Sequence, residues 1–367
     1  MADPLNPLPD DTTALLRTRD LTTLASAADR AAAQETFARF RTTKAAATLR
    51  AHAADLARWA AYLAAVRSDQ RLTPQTDRAT LAALALPWMT TPDTWAPVSW
   101  GLIEAFLHWQ LHAGYSLASI ARALATVRSY ARLAARAGVI APDTLTLIET
   151  VTTPTPHSKA GRNSDAQRPT QRIGSKKAAP TELSRDQARI LRNSHPDTPQ
   201  GRRDRLLMGL LLEHGLRVSE VAGLTIANLD QRHGRLTLYR PKVHLWQTLE
   251  LSQTTLAAVT AAAEAGELLT EPHLPLVRRS TKTGQLSNGG MGIRSIAARV
   301  AHLGSTLLAL QHFSPHDCRH FWASHAQGDL FTLQEAGGWA SLEMPRRYQR
   351  RKQVANRGLR APADGDA

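Results

Sequence analysis

The sequence is short of cysteine, of aromatic residues and of any long apolar run. A single thiol, Cys318, in 367 residues excludes an internal disulfide, and with it the cross-linked scaffold of a small secreted domain. No stretch approaches the roughly 20 consecutive apolar residues that cross a bilayer. The opening MADPLNPLPDD has neither the basic start nor the apolar core of a signal peptide. These absences lead us to expect a cytoplasmic protein without a membrane partner. Neither GxGxxG nor a GxxxxGK phosphate loop occurs, so no nucleotide or other cofactor is expected. Aromatic residues make up 5% of the chain while alanine is abundant, which favours helix over sheet.

What the chain does have is positive charge. It carries 45 Lys and Arg against 31 Asp and Glu, a formal net charge of +14. The excess is not evenly spread. Residues 1–150 hold 15 bases and 13 acids, a net of +2, whereas residues 151–367 hold 30 and 18, a net of +12. Charge in that quantity serves solubility in some proteins, but contact with a nucleic-acid backbone requires Lys and Arg in number. Nucleic acid is the better expectation. With 43% hydrophobic residues, 367 positions suffice for two domains, each with a core of its own.

Residues 1–35 are polar and weakly patterned, with Pro4, Pro7 and Pro9, and read as a flexible tail. Leu49, Leu56, Trp59, Leu63 and Val66 recur at helical spacing, and helical patterns also cover about 99–113 and 116–138. Ser116 is a fitting N-cap for the last of these and Gly138 a fitting stop. Residues 36–150 therefore read as a small all-helical domain. Composition then changes: 151–180 are rich in Pro, Ser, Thr and Gly, with Lys159, Arg162, Arg168, Arg172, Lys176 and Lys177 against the single acid Asp165. This is a basic linker, able to act as a spacer or to lie along a phosphate backbone. A second domain spans 181–352, followed by a tail at 353–367. It begins with helices and continues with three short predicted strands, roughly 225–230, 235–240 and 245–251. Further helices are predicted at about 254–265, 291–303, 315–327, 331–337 and 341–352. The fold class is thus mainly α with a small three-stranded antiparallel sheet.

Breaking a phosphodiester without a metal needs a nucleophile, cations for the charge growing on the non-bridging oxygens, and an acid for the leaving oxygen. Arginine suits the second task because its fork meets two phosphate oxygens and keeps its proton. GLRVSEVAGL puts Arg217 at the start of a helix; SPHDCRHFWASHA puts His316 and Arg319 three apart, on one helical face. Lys242, in YRPKVHLW, falls at the turn between the second and third predicted strands. GGWASLEMPRRYQRRK carries Tyr348 among Arg346, Arg347, Arg350, Arg351 and Lys352. HDCRH also raises a metal site of His316, Cys318 and His320, but helical residues two apart do not share a face. Glu220 and Asp317 do not form the carboxylate pair of a metal nuclease, because no other acid clusters with them. No metal is expected.

Each of these segments is unspecific alone. In this order and at these spacings they resemble the tyrosine recombinases, or phage-type integrases, the family of Xer- and Cre-like site-specific recombinases. The family pattern runs Arg, Lys, H-x-x-R, His or Trp, then Tyr, with a supporting acid that corresponds to Glu220. Trp339 stands where most members have histidine, nine residues before Tyr348, and its indole N–H is still a donor. Cys318 replaces the usual leucine. The likeness spans about residues 36–352, more loosely in the helical part, which resembles a SAM-like core-binding domain ahead of a mixed α/β catalytic domain.

The resemblance implies catalytic Arg217, Lys242, His316, Arg319, Trp339 and Tyr348. It implies DNA cleavage and rejoining through a 3′-phosphotyrosyl link, without metal or ATP. The implied partners are double-stranded DNA with inverted-repeat recombination sites and three further copies in a nucleoid-associated tetramer, with room for accessory proteins. A type IB topoisomerase shares this chemistry, and an inactive DNA-binding module would share the fold. A tyrosine near the C-terminal end and the two-domain layout favour the recombinase.

Overall fold

The computed structural model describes residues 18–67, 78–154 and 180–348. The chain divides into two units, Met1–Lys176 and Lys177–Ala367. The first contains helices α1 (Thr18–Thr42), α2 (Ala46–Arg67), α3 (Arg78–Thr90), α4 (Trp100–His112), α5 (Leu117–Arg136) and α6 (Pro142–Thr150). Ser99 and Ser116 cap α4 and α5 by accepting the Leu102 and Ser119 backbone N–H, and Gly138 stops α5 with φ +77°. Helix α5 presents Ile120, Leu124, Val127 and Tyr130 to a core that also buries Leu56, Trp59, Trp95 and Phe106.

Aromatics, scarce overall, are concentrated in that core. Trp59 meets Trp88 and Phe106 edge-on at ring-centroid distances of 5.7 and 5.1 Å. Some polar groups enter it partnered, while Trp59 Nε1 and Tyr130 Oη are buried there without a hydrogen bond. Fully buried Asp55 accepts from Arg122 Nη2 at 2.8 Å and from Thr126 Oγ1 at 3.1 Å, and the Arg58 guanidinium lies 4.1 Å from the centre of the Tyr115 ring.

The expected N-terminal tail needs correction: from Thr18 onward the chain is helical, and Phe37 on α1 is 2% exposed and packs against Tyr130. Its alanines and threonines give little apolar periodicity, so tertiary packing, not pattern, makes the helix. Residues 1–17, all six linker bases and the tail 353–367 lie outside the described residues.

The second unit runs α7 (Arg185–Asn193), α8 (Pro199–Leu212), α9 (Val218–Ala222), β1 (Leu229–Asp230), β2 (Arg235–Arg240), β3 (Leu245–Glu250) and α10 (Gln253–Glu264). It continues with β4 (Arg278–Ser280), β5 (Leu286–Gly290), α11 (Ile293–Leu308), α12 (Pro315–His325), α13 (Leu330–Gly337) and α14 (Glu343–Tyr348). Strands β1, β2 and β3 form an antiparallel sheet in that order, with Leu236 opposite Leu249 and Tyr239 opposite Trp246. The first predicted strand shrinks to two residues because Ile226–Asn228 wind into a 3-10 turn, held by Asn228 Oδ1 accepting the Thr225 N–H at 2.7 Å. A second, two-stranded sheet pairs β4 with β5. Fully buried Leu191, Leu207, Leu210 and Leu211 on α7 and α8 pack with Val259, Ile296 and Val300 to form the core. Among the described residues no helix is long and apolar enough to cross a membrane.

Candidate active site

Helix α8 ends in a buried apolar run, and the chain must turn sharply to bring Arg217 to the start of α9. Gly215 makes that turn at φ +57°, and a Cβ there would lie 2.2 Å from Cε3 of Trp322. Only glycine meets both demands. The Arg217 backbone N–H donates to Glu220 Oε2 at 2.8 Å and its Nη1 donates to Oε1 at 2.7 Å. One buried carboxylate thereby orients both the main chain and the side chain. Arg217 Nη2 donates onward to the Gly338 carbonyl at 3.0 Å.

Helix α12 begins with a capping arrangement in which Asp317 accepts from the Ser314 N–H at 2.8 Å and from its hydroxyl at 2.7 Å. The same fully buried carboxylate accepts the Thr181 N–H at 2.9 Å, so its task here is structural. Arg319, one turn in, is 4% exposed. It donates to the Gly215 carbonyl and, through Nη2, to that of Gly337 at 2.6 Å. Its guanidinium also lies 4.5 Å from the ring centre of Trp339. Cys318 is wholly buried, whereas His316 is exposed and His320 half-buried. The three do not converge.

The anchor for these arginines is the C-terminus of α13. The last carbonyls of any helix lack intrahelical partners and carry the negative end of its dipole. Here those of Ala336, Gly337 and Gly338 accept from guanidinium groups: Arg240 at 2.7 and 2.9 Å, Arg319 at 2.6 Å and Arg217 at 3.0 Å. The two glycines make room. A Cβ on Gly337 would lie 2.2 Å from Cζ3 of Trp339, and one on Gly338, at φ +57°, would lie 2.3 Å from Cδ of Arg240.

Tyr348 ends α14 and is 8% exposed. Its ring stacks on Trp339 at 5.5 Å and meets His320 edge-on at 5.2 Å, while Trp339 rests on Trp322 at 5.9 Å. The neighbouring Arg346 and Arg347 are exposed, and Arg347 pairs with Glu343 at 2.5 Å. Arg350, Arg351 and Lys352 lie outside the described residues.

Four of the six candidates, Arg217, Arg319, Trp339 and Tyr348, are joined by direct contacts or through the Gly337–Gly338 backbone. Lys242 and His316 are exposed, and neither hydrogen-bonds Tyr348 among the described residues. His316 lies on α12 one turn before Arg319. Lys242 occupies the β2–β3 turn, whose Val243 borders a hollow of about 290 Å³ together with Leu245, Gly338 and Trp339.

Sequence reasoning passed over Arg240, although strict alternation along RLTLYR puts it on the inward face with Leu236 and Leu238. A cation on an apolar face was the signal. It also passed over Trp322 and the two glycines, whose need arises only from tertiary contacts.

Electrostatically the cluster holds three guanidinium groups against one carboxylate, Glu220. Burial, followed by the charges of Arg217 and Arg240, pushes the Arg319 pKa down to about 9 despite the pull of Glu220 and Tyr348. Burial likewise lowers that of Arg240. Surplus positive charge held by a rigid scaffold beside a phenol is suited to an oxyanion with two or more free oxygens.

Residues 182–354 match the model of the phage integrase family. A tyrosine recombinase XerC from Chromohalobacter salexigens is 26% identical over 264 residues, covering 70% of this chain and 78% of the relative. A tyrosine recombinase XerD from Neisseria meningitidis is 31% identical over 178 residues, covering 47% and 59%. Among solved structures, a Tn1549 transposon integrase in complex with transposon right end DNA aligns with a TM-score of 0.53 at 13% identity, over 82% of this chain and 97% of that one. The XerH site-specific recombinase bound to palindromic difH substrate aligns at 0.50 and 16%, over 76% of each. At those identities the structural likeness is one of fold.

Proposed function

We propose that this chain, which belongs through residues 182–354 to the phage integrase family of tyrosine recombinases, is a site-specific DNA recombinase that works through a phosphotyrosyl intermediate. The observation that carries the reading is the convergence of Arg217, Arg240 and Arg319 on one helix terminus, with Trp339 bridging Arg319 to the phenol ring of Tyr348.

In this reading the Tyr348 Oη attacks a DNA phosphorus. A P–O bond to tyrosine forms, the P–O5′ bond breaks, and a 3′-phosphotyrosyl link and a free 5′-hydroxyl remain. Arg217 and Arg319 take the non-bridging oxygens and the charge that grows on them. His316 accepts the phenol proton, Lys242 gives a proton to the departing O5′, and the Trp339 indole N–H donates to a phosphate oxygen. Rejoining reverses each transfer. The link conserves the energy of the phosphodiester, so the cycle balances without ATP. The helical unit serves as the core-binding domain, where Arg58, held over Tyr115, and Arg122, held by Asp55, are two oriented cations for the DNA backbone. Inverted-repeat sites, a tetramer on DNA with the C-terminal tail packed on a neighbour, and a cytoplasmic, nucleoid-associated location complete the proposal.

The test is to incubate the protein with DNA of its host, quench with detergent, and map the DNA ends linked to protein. Adducts at one or a few inverted-repeat sites are expected. Tyr348→Phe should bind the same DNA and give none; residual adduct on that variant refutes the nucleophile assignment. Adducts scattered without preference would indicate a topoisomerase.

A further inference from the structure

Among the described residues of the second unit, Arg240 is the largest charged side chain to be fully buried, at 0% exposure. Such burial is costly unless the group is well partnered. Its partners are the Ala336 and Gly337 carbonyls at 2.7 and 2.9 Å and, at 3.5 Å, Glu220 Oε1; its Nε has none. A leucine in its place would suit the neighbouring Leu236 and Leu238 but would strip an acceptor carbonyl of its donor.

The position explains what the arginine accomplishes. Arg240 is the last residue of β2 and lies two before Lys242. The turn itself has little cover: Pro241, Lys242 and His244 are exposed and Val243 is half-buried. Its ties are local, the Val243 N–H donating to the Arg240 carbonyl at 3.2 Å and His244 Nδ1 lying 3.1 Å from the Tyr239 hydroxyl. The carbonyls that Arg240 grips immediately precede Gly338 and Trp339, and its Cδ fills the space a Cβ on Gly338 would occupy. On β3, Gln247 Nε2 adds a second tie, to the Glu335 carbonyl at 2.7 Å. The hairpin is thus fastened to the backbone segment that also orients Arg217 and Arg319.

We propose that Arg240 is a positioning residue that locks the β2–β3 hairpin to the α13 terminus and so sets where the Lys242 ammonium meets the leaving O5′. This rests on the reading of Lys242 as the general acid.

A duplex carrying the mapped site with sulfur in place of the bridging O5′ tests both. A thiolate departs without a proton, so a defect in proton donation disappears on the sulfur substrate while a defect in phosphate binding or folding persists. Adduct formation is followed on oxygen and sulfur duplexes for the unaltered protein, Lys242→Ala, Arg240→Met and Arg240→Lys. Lys242→Ala should lose about 10²–10⁴-fold on oxygen, the usual span of an acid's contribution, and recover on sulfur. Arg240→Met should lose roughly tenfold or more on oxygen and recover in the same way. Equal loss on both substrates, or no loss on either, overturns the role of Arg240. If Arg240→Met no longer binds the duplex, Arg240→Lys decides, because its ammonium reaches one carbonyl. A loss on oxygen smaller than that of Lys242→Ala and restored on sulfur supports the role, and an equal loss on both substrates, or none on either, overturns it. Failure of sulfur to restore Lys242→Ala overturns the acid assignment itself, and the positioning role with it.

Discussion

Arg319 shows how a single side chain can be tuned by what is missing around it. Its pKa sits near 9 because the protein buries it beside two other guanidinium groups, which the pull of Glu220 and Tyr348 does not offset. The unfolded chain holds that proton to a much higher pH. Between about 9 and the unfolded value, then, the unfolded state binds more protons, and this group's contribution to stability rises with pH. Below 9 the charge is present and strained. An anion on the cluster relieves the strain and pulls the pKa upward. Affinity for inorganic phosphate, measured by calorimetry, should therefore weaken as pH is raised from 8 to 10. Equal affinity at both values would mean the guanidinium keeps its proton throughout.

The same crowding makes two glycines informative. Gly338 and Gly266 both have positive φ, but a Cβ meets Arg240 at the first and open space at the second. Gly338→Ala should destabilise by about 1–3 kcal/mol more than Gly266→Ala, the usual cost of overpacking. Denaturant titration of the two variants checks it, and equal losses would show that Arg240 yields freely.

At the scale of elements, legibility followed periodicity. Helices α2, α4 and α5 announced themselves through spaced leucine, isoleucine and tryptophan, and β2 and β3 through alternation. Helix α1, rich in alanine and threonine, did not. Nor did α3, which keeps Pro87 inside its last turns, nor the β4–β5 pair, where Gly289 and Gly290 weaken any strand pattern. For the site, the family resemblance singled out Arg217, Arg319, Trp339 and Tyr348, which the fold gathers. It did not reveal that Tyr348 is buried between Trp339 and His320, because a phenol in an arginine-rich run looks exposed when read in one dimension. The carbonyls of α13 were invisible for a simpler reason: backbone acceptors have no letter in a sequence.

Across the whole molecule the charge is divided as unevenly as the chemistry, with a net of +2 before residue 151 and +12 after it. Six of those bases lie between Lys159 and Lys177. If they run along DNA, replacing all six with Gln should lower the slope of log K against log salt by up to about 0.9 for each phosphate left without its cation. Filter binding from about 50 to 200 mM salt measures it, the range over which phosphate-dominated affinities fall steeply. An unaltered slope would assign those bases no part in binding.

The sealed position of Cys318 has a practical corollary. Its thiol has no exposed surface, so the folded protein presents maleimide reagents with no native target on that residue. A cysteine placed at an exposed site on either unit, for example Ala47→Cys or Ser305→Cys, would be labelled alone, without first building a thiol-free background. Dyes attached this way would let fluorescence follow the two units as DNA is taken up and released.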